Sequence, residues 1–420
     1  MLKPIGAPNS QDARASAERQ KRRVLMLCYL YPPVQSSGTA RSVAFSSLLP
    51  RFGWEPTVLT VRHARDRWST RGGDPPADVV VVRTPEWDLA GAVNLIYGVL
   101  CRIHRAMRRP PPRFFGFPDA QAAWLTTLPG ALLARSHDVV YASCSPFSSA
   151  LSALAIGALA RKPVVLDFRD AWCYDLDQYF MPWHVRAVSR LERLAVERCD
   201  RLIVNTDGAR RLYEARYPWC RGKLHTIPNG YDRLTPVAAM DPSRFRIVHV
   251  GTLYGGRDPR PLLRALCRLN DSRIEFVNVG EPYPGLESHV PGLTVRQLGI
   301  LPREAALQQL QQASLLYLRQ GSSNTIAVAA KTYEYLATGL PILCHCPPGD
   351  NVELVRAYGK NAVIVTSDDD GDLATAVRSI LDRWPNLRPE ISPEFKSRFS
   401  REVLTQELSE VLELGRRGRR

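Results

Sequence analysis

Short apolar runs alternate with small-residue loops and amphipathic stretches along the chain, and the rhythm is gone through twice. RRVLMLCYLYPP, beginning at Arg22, is a continuous apolar run stopped by Pro32 and Pro33. That is the pattern of a strand covered on both faces in a parallel sheet. VQSSGTARSVAFSSLLPRFG follows, a Ser and Gly loop leading into a helix with Val43, Phe45, Leu48 and Leu49 near one side and Gly53 at its end. PTVLTV and VVVVRTP (79–85) predict two further strands, and DVVYASCSP (138–146), KPVVLDFRD (162–170) and RLIVNT (201–206) continue the series. Helices are expected between them, over the apolar stretch 147–160 and over 183–199. LHTIPNGYD reads as strand plus turn, punctuated by Asn229 and Gly230.

The grammar then restarts. FRIVHVGTLYGGRDPRPLLRALCRL is again strand, Gly-rich loop and helix, and IEFVNVG, LTVRQLG, SLLYLRQ, PILCHC and NAVIVT supply five more strands. Helices are predicted over 302–312, 327–338, 350–358 and 371–384. Strands and helices at this spacing argue for an α/β chain of two Rossmann-like domains in tandem. We divide it into a disordered tail (1–22), a first domain (23–236), a second domain (243–390) and a C-terminal segment (391–420) whose helix, over 400–414, can return to the first domain.

A length of 420 residues suits two domains, each able to bury its own core. The formal charge of +15 favours an anionic partner, and it is spread over faces and tails without an aromatic-laced groove, which argues against nucleic acid. Nine cysteines in no paired spacing, most of them in apolar segments, fit a reducing compartment. Cys344, His345 and Cys346 lack a spaced second pair of ligands, so a strand end is preferred there to a metal site. The run 147–160 is shorter than the roughly 20 residues a membrane span needs. The polar start has no apolar signal core, and a cytoplasmic protein is expected.

Ligands of open α/β sheets sit beyond the carboxyl ends of the strands, which directs attention to three loops. SSGTAR (36–41) offers backbone amides and a helix start to an anion, with Gly38 permitting close approach; a plain strand-to-helix turn reads equally well. GTLYGGRDP (251–259) repeats the device, and Arg257 can offer a planar charged fork to a diphosphate; the bland alternative pairs Arg257 with Asp258. LRQGSSNTIAVAAKTYEYLATGLPIL places Lys331 one turn into a helix and Glu334 three residues on. Glu334 adjoins the stripe of Ala329, Tyr333 and Leu336, where a carboxylate can accept both hydroxyls of a ribose; an exposed pair with Lys331 is the alternative.

These residues resemble the family 4 glycosyltransferases of the GT-B class, over about residues 23–385. The resemblance is carried by YPPVQSSGTARS with FGWEPTVLTV, by KPVVLDFRDAW, by IPNGYD, by GTLYGGRDP and by AAKTYEYLATGLPIL, in that order. It implies two facing Rossmann-like domains and a UDP- or GDP-linked sugar held in the cleft mostly by the second. It also implies a glycan or lipid-linked acceptor held by the first, transfer with retention and no metal. By the same resemblance Gly38, Thr252, Arg257 and Lys331 would lie at the donor diphosphate, Glu334 at the ribose, and Gly299, Ile300 and Leu301 near the base.

Departures from the family pattern are as informative. Ile326 stands where a first glutamate is usual, leaving the amides of Ser322, Ser323, Asn324 and Thr325 to read the sugar; Thr252 replaces a common Arg; and SCSPFS stands where a histidine often follows the fourth strand. Asp170 and Arg169 in DFRDAW are then the acceptor-side catalytic candidates, with a structural ion pair or a helix cap as the alternative. Assembly of a bacterial surface glycan is the expected setting. A nucleotide-sugar 2-epimerase of the same fold and a non-catalytic nucleotide-binding or scaffold protein are the rival readings. The segment 92–109, apolar on one side and carrying Arg102, Arg105, Arg108 and Arg109, followed by PPPRFFGF, can lie on an anionic membrane or pack on its own domain.

Overall fold

The structure is a computed structural model. It describes residues 22–62, 73–85, 89–107, 117, 119, 124, 127–174, 182–233, 243–253, 256–286, 290, 292–321, 325–384 and 386–418. The proposed tail up to residue 21, the junction 234–242, Arg108, Arg109 and most of PPPRFFGF, and the loop residues Tyr254, Gly255, Ser322, Ser323 and Asn324 lie outside the described residues.

The first domain runs β1 (Arg22–Cys28), α1 (Ser37–Leu48), β2 (Trp54–Arg62), β3 (Val80–Pro85), α2 (Leu89–Ala106), α3 (Gly130–Ala134), β4 (Val139–Cys144), α4 (Ser148–Ala160), β5 (Val164–Phe168), α5 (Pro182–Arg198), β6 (Arg201–Val204), α6 (Asp207–Arg216) and β7 (Leu224–Thr226). Its seven strands are all parallel, in the order β3-β2-β1-β4-β5-β6-β7. Val24 to Cys28 have no accessible surface, as expected for a strand at the middle of a sheet covered on both sides. Gly53, at φ 77°, ends the turn after α1 in a left-handed conformation that a side chain would resist.

The second domain comprises β8 (Phe245–Val250), α7 (Arg260–Leu269), β9 (Ile274–Val279), β10 (Thr294–Gln297), α8 (Arg303–Gln311), β11 (Leu315–Arg319), α9 (Ala330–Thr338), β12 (Ile342–His345), α10 (Asp350–Tyr358), β13 (Ala362–Val365) and α11 (Asp370–Leu381). The strand order is β10-β9-β8-β11-β12-β13, again parallel throughout. Two Rossmann-like sheets facing one another across a cleft are the GT-B fold that the strand rhythm and the resemblance led us to expect.

The helix expected over 327–338 begins only at Ala330. Upstream, the carbonyl of Ile326 accepts from Thr206 of the first domain at 2.6 Å and that of Ala327 accepts from Gln320 at 3.1 Å, so neither is spent on a helical turn. This leaves a short extended approach between the loop after β11 and α9.

Two further helices, α12 (Pro393–Phe399) and α13 (Arg401–Arg417), follow the second domain. On α13, Leu404, Leu408, Val411 and Leu412 bury themselves with Val24, Met26, Val58, Val165 and Ile203 of the first sheet. The chain therefore crosses between the domains twice, and the crossings touch. Tyr231 donates its amide to the carbonyl of Phe399 (3.0 Å) and accepts from the amide of Arg401 (2.9 Å).

Candidate active site

In each sheet the strand order reverses once, between β1 and β4 in the first domain and between β8 and β11 in the second. Loops leaving neighbouring strands in opposite directions open a crevice there, beyond the carboxyl ends. The two crevices face each other. Gln35 donates to the carbonyl of Leu301 (3.3 Å), the Tyr174 hydroxyl lies 3.2 Å from Oγ1 of Thr325, and Asp350 accepts from the amide of Gly208 (2.5 Å) at the start of α6.

On the second-domain wall, β8 delivers Gly251 at φ 119°. A Cβ at Gly251 would sit 2.7 Å from Nζ of Lys331, so this glycine lets the amine run against the backbone. Lys331 lies in the first turn of α9, whose N-terminus has no side-chain cap. Its Nζ is 3.1 Å from Nε2 of His249. Nδ1 of His249 lies 2.9 Å from the carbonyl oxygen of Tyr317, which only accepts, so the proton belongs on Nδ1 and Nε2 receives the lysine. His249 has no accessible surface; burial and then the neighbouring Lys331 push its pKa well below the usual histidine value. Burial, and next the charge of Arg257, bring Lys331 down to about 7. The lysine is solvent-reachable yet walled in on most sides, which reconciles its half-exposed surface with a strong desolvation. Arg257 acts on Lys331 from the loop beyond β8, while Asp258 pairs with Arg260 (2.6 Å). Thr252 is half-buried in the same loop, and Gly321 comes close to it: a Cβ there would lie 3.3 Å from Gly256.

Glu334 points to the same side of α9, but its partner is not Lys331. Oε1 of Glu334 accepts from Nη2 of Arg303 at 2.8 Å, and the same nitrogen donates to Asp232 at 2.5 Å. Asp232 also pairs with the buried Arg401, so the carboxylate read as a ribose ligand sits in a chain of charges running to the crossing point. The alternative of an exposed Glu334–Lys331 pair is not what forms: Lys331 turns inward to β8, and α8 supplies the cation. Gly299, at φ 69°, Ile300 and the half-buried Leu301 form the turn after β10 on the same wall, and Leu301 is the residue that meets Gln35.

On the first-domain wall, α1 is capped by its own Ser36, whose Oγ accepts from the amide of Thr39 (3.0 Å). The face of Gly38 is taken up by Arg169, whose Nη1 would lie 1.7 Å from a Cβ built there. A side chain at Gly38 would push that guanidinium aside, and an anion approaching Gly38 meets Arg169 before the loop amides. Arg169 is held by the carbonyl of Ser145 at 2.6 Å. Asp170 keeps an exposed surface but is hemmed in by the surrounding protein, so desolvation raises its carboxyl and Arg169 partly lowers it again.

The structure brings Arg257, Lys331, Glu334, Thr252 and the 299–301 turn together on one wall, with Gly38, Arg169 and Asp170 on the other. Ser323 and Asn324 lie outside the described residues, and Thr325 faces Tyr174. Sequence reasoning missed three groups. His249 reads as an apolar-strand residue, Arg303 lies outside every motif, and Arg41 sits inside SSGTAR yet points into the core, where it makes a two-pronged pair with Asp167 at 2.8 and 3.1 Å. The continuous apolar run of β5 could have found Asp167, since a carboxylate amid VVLDF needs a buried cation.

Residues 43–233 match the family model described as Glycosyltransferase Family 4. Among curated proteins, D-inositol 3-phosphate glycosyltransferase of Mycolicibacterium smegmatis is 25% identical over 238 residues, a match covering 51% of this chain and 52% of that protein. The chain thus spans about half the length of the curated relative it matches. Among solved structures, HepE of Anabaena in complex with UDP and glucose has a TM-score of 0.59 at 15% identity, covering 93% of this chain and 99% of that one. WaaG, a glycosyltransferase involved in lipopolysaccharide biosynthesis, has a TM-score of 0.56 at 13% identity, covering 94% and 98%. At such identities the structures speak for the fold, and the family match speaks for the segment it covers. Residues 43–233 are thus similar to the Glycosyltransferase Family 4 model, and the chain that holds them folds into two facing sheets of the GT-B class.

Proposed function

We propose that this protein is a glycosyltransferase that moves a sugar from a UDP- or GDP-linked donor to a glycan or lipid-linked acceptor, with retention, in the assembly of a bacterial surface polysaccharide. The observation that supports the reading best is the convergence at the β8/β11 crevice. Arg257, the amine of Lys331 and the uncapped N-terminus of α9 meet there, with Glu334 one turn along the same helix. Breaking the bond between a sugar and a diphosphate develops positive charge on the sugar and negative charge on the leaving oxygens. Fixed cations and helix amides aimed at those oxygens stabilise the transition state more than the ground state. Arg257 and Lys331 would hold the diphosphate and Glu334 the ribose hydroxyls, displacing or sharing Arg303. The 299–301 turn would line the base, while Thr252 and Thr325 would flank the phosphates and sugar. Arg169 and Asp170 would serve the acceptor side of this site.

Incubating the protein with UDP-glucose and GDP-mannose, with and without a glycan or lipid-linked acceptor, tests the reading. A glycosylated product supports transfer. An epimerised nucleotide sugar formed without acceptor would favour the epimerase, and binding without turnover a scaffold.

An anionic leaflet is the partner we infer for α2. Leu95, Ile96, Val99, Ile103 and Met107 are exposed by 71, 53, 45, 46 and 60%, and the spacing of 95, 99, 103 and 107 keeps them on one face. Arg102 and Arg105 are exposed beside them. Among the described residues no helix is long and apolar enough to cross a membrane. An apolar face edged with arginine suits a helix lying in the headgroup region, at the cytoplasmic surface in this reading.

A further inference from the structure

Lys331 has a partner that the diphosphate reading does not call for. His249 comes from the middle of the second sheet, is fully buried, and is oriented by the carbonyl of Tyr317, so its free lone pair faces the cleft-side amine. A neutral imidazole so fixed accepts one lysine hydrogen whether that amine is charged or not. We propose that His249 is a positioning residue for the phosphate grip: it anchors Lys331 in the empty cleft, and a donor diphosphate is bound together with a proton taken up by that amine. The inference rests on reading the β8/β11 crevice as a diphosphate site.

The surroundings of the amine support both halves. From β8 it is faced by His249, which stays neutral because burial and Lys331 itself disfavour a charge there. From the loop after β8 comes Arg257, whose charge opposes a second cation. From the end of β12 comes the thiol of Cys346, and from its own helix Glu334, both acting in the other direction but more weakly than burial and Arg257. With burial and Arg257 bringing Lys331 down to about 7, the unliganded site holds the amine only partly charged at neutral pH. A diphosphate reverses the balance, since two negative charges placed between Arg257 and Lys331 favour the protonated form. The amine then keeps one hydrogen on Nε2 of His249 and turns its other two to phosphate oxygens. Histidine here is suited to the task because it is an acceptor with no charge of its own. A carboxylate would hold the lysine permanently charged and compete with the ligand for it.

Calorimetric titration with UDP-glucose and GDP-mannose, whose diphosphates carry no proton that titrates near neutrality, reads the proton directly. The titrations are run in buffers of different ionisation enthalpy at pH 6, 7 and 8. Uptake of about half a proton per bound nucleotide sugar is expected at pH 7, less at pH 6 and more at pH 8, with affinity falling as pH rises. Lys331→Arg should bind without uptake. His249→Gln, which keeps an acceptor near the same place, should stay within about 3-fold of the parent, whereas His249→Phe should bind about 10-fold more weakly and show altered uptake. Thermal unfolding of the two histidine variants separates lost positioning from lost folding, and the glutamine variant's pH profile carries the proposal if the phenylalanine variant does not fold. Binding with no proton uptake at any of the three pH values, or uptake persisting in Lys331→Arg, would overturn the inference while leaving the site reading intact. No binding of either nucleotide sugar at millimolar concentration would overturn both.

Discussion

One nitrogen of Arg303 bridges Glu334, at 2.8 Å, and Asp232, at 2.5 Å. The carboxylate read as the ribose ligand is therefore held in place before any ligand arrives. The price of holding it is small, because Arg303 is 43% exposed and such pairs contribute at most about 1 kcal/mol. Arg303→Met should leave the melting temperature nearly unchanged and nucleotide affinity equal or higher. Glu334→Gln should weaken UDP or GDP binding by roughly 10-fold or more, as expected when a charged hydrogen-bond acceptor is lost. Calorimetry on the two variants checks this, and an unaltered affinity in Glu334→Gln would remove Glu334 from the site.

Arg41 and Asp167 make the opposite kind of pair. Both are sealed from solvent, and two further hydrogens of Arg41 go to the carbonyls of Ile227 (2.9 Å) and Pro228 (2.5 Å). The Tyr141 hydroxyl donates to the same carboxylate at 2.5 Å. Removing one partner leaves a buried charge uncompensated, so Asp167→Ala should cost about 3–5 kcal/mol. Thermal unfolding should show a drop on the order of 10 °C. The same loss from an exposed pair such as Arg51 with Glu402 should be within experimental scatter.

Glu413 gives the return of α13 a pH dependence. It accepts from Arg416 (2.7 Å), Arg417 (2.6 Å) and Arg22 of β1 (3.1 Å), and these bonds, that of Arg416 foremost, bring its carboxyl from 4.5 down to about 2. A carboxylate depressed in the folded state stabilises it fully above the unfolded value. That contribution is present above pH 4.5 and is lost as pH falls towards 2. Glu413→Gln should narrow the stability difference between pH 6 and pH 3 relative to the parent, measured by urea unfolding at both pH values.

How much of this was legible beforehand can be judged from particular residues. The strands were, because a parallel sheet covered on both faces demands runs such as VLMLC and LLYL, and few other structures tolerate them. Lys331 and Glu334 were singled out because a loop followed by a helix start is recognisable as a pattern. Their partners were not, since His249 and Arg303 reach them from elements 82 and 31 residues away in sequence. The direction of Arg41 was hidden for a similar reason: SSGTAR looks like a ligand loop from end to end, and only the register of β5 turns its arginine inward to Asp167. Tertiary pairing of charges has no local signature, whereas burial periodicity does.

For α2, the exposed stripe makes a separate prediction. Leu95→Glu with Val99→Glu should abolish flotation with vesicles containing phosphatidylglycerol, and neutral phosphatidylcholine vesicles should bind the parent weakly. Sedimentation of the parent checks the other occupant: a dimer that dissociates in the double variant, with flotation unchanged, would assign the stripe to a second copy of the chain.

The central claim is that the wall made by β8, β11 and α9 grips the diphosphate of a nucleotide sugar through Arg257 and Lys331. Calorimetric titration of UDP and GDP into the parent and into the Arg257→Ala, Lys331→Met double variant tests it most directly. The account predicts saturable binding of one of the two nucleotides to the parent and a loss of at least about 100-fold in the double variant, which keeps the parent's thermal unfolding. Equal affinity in parent and variant, or no binding of either nucleotide at millimolar concentration, would contradict it.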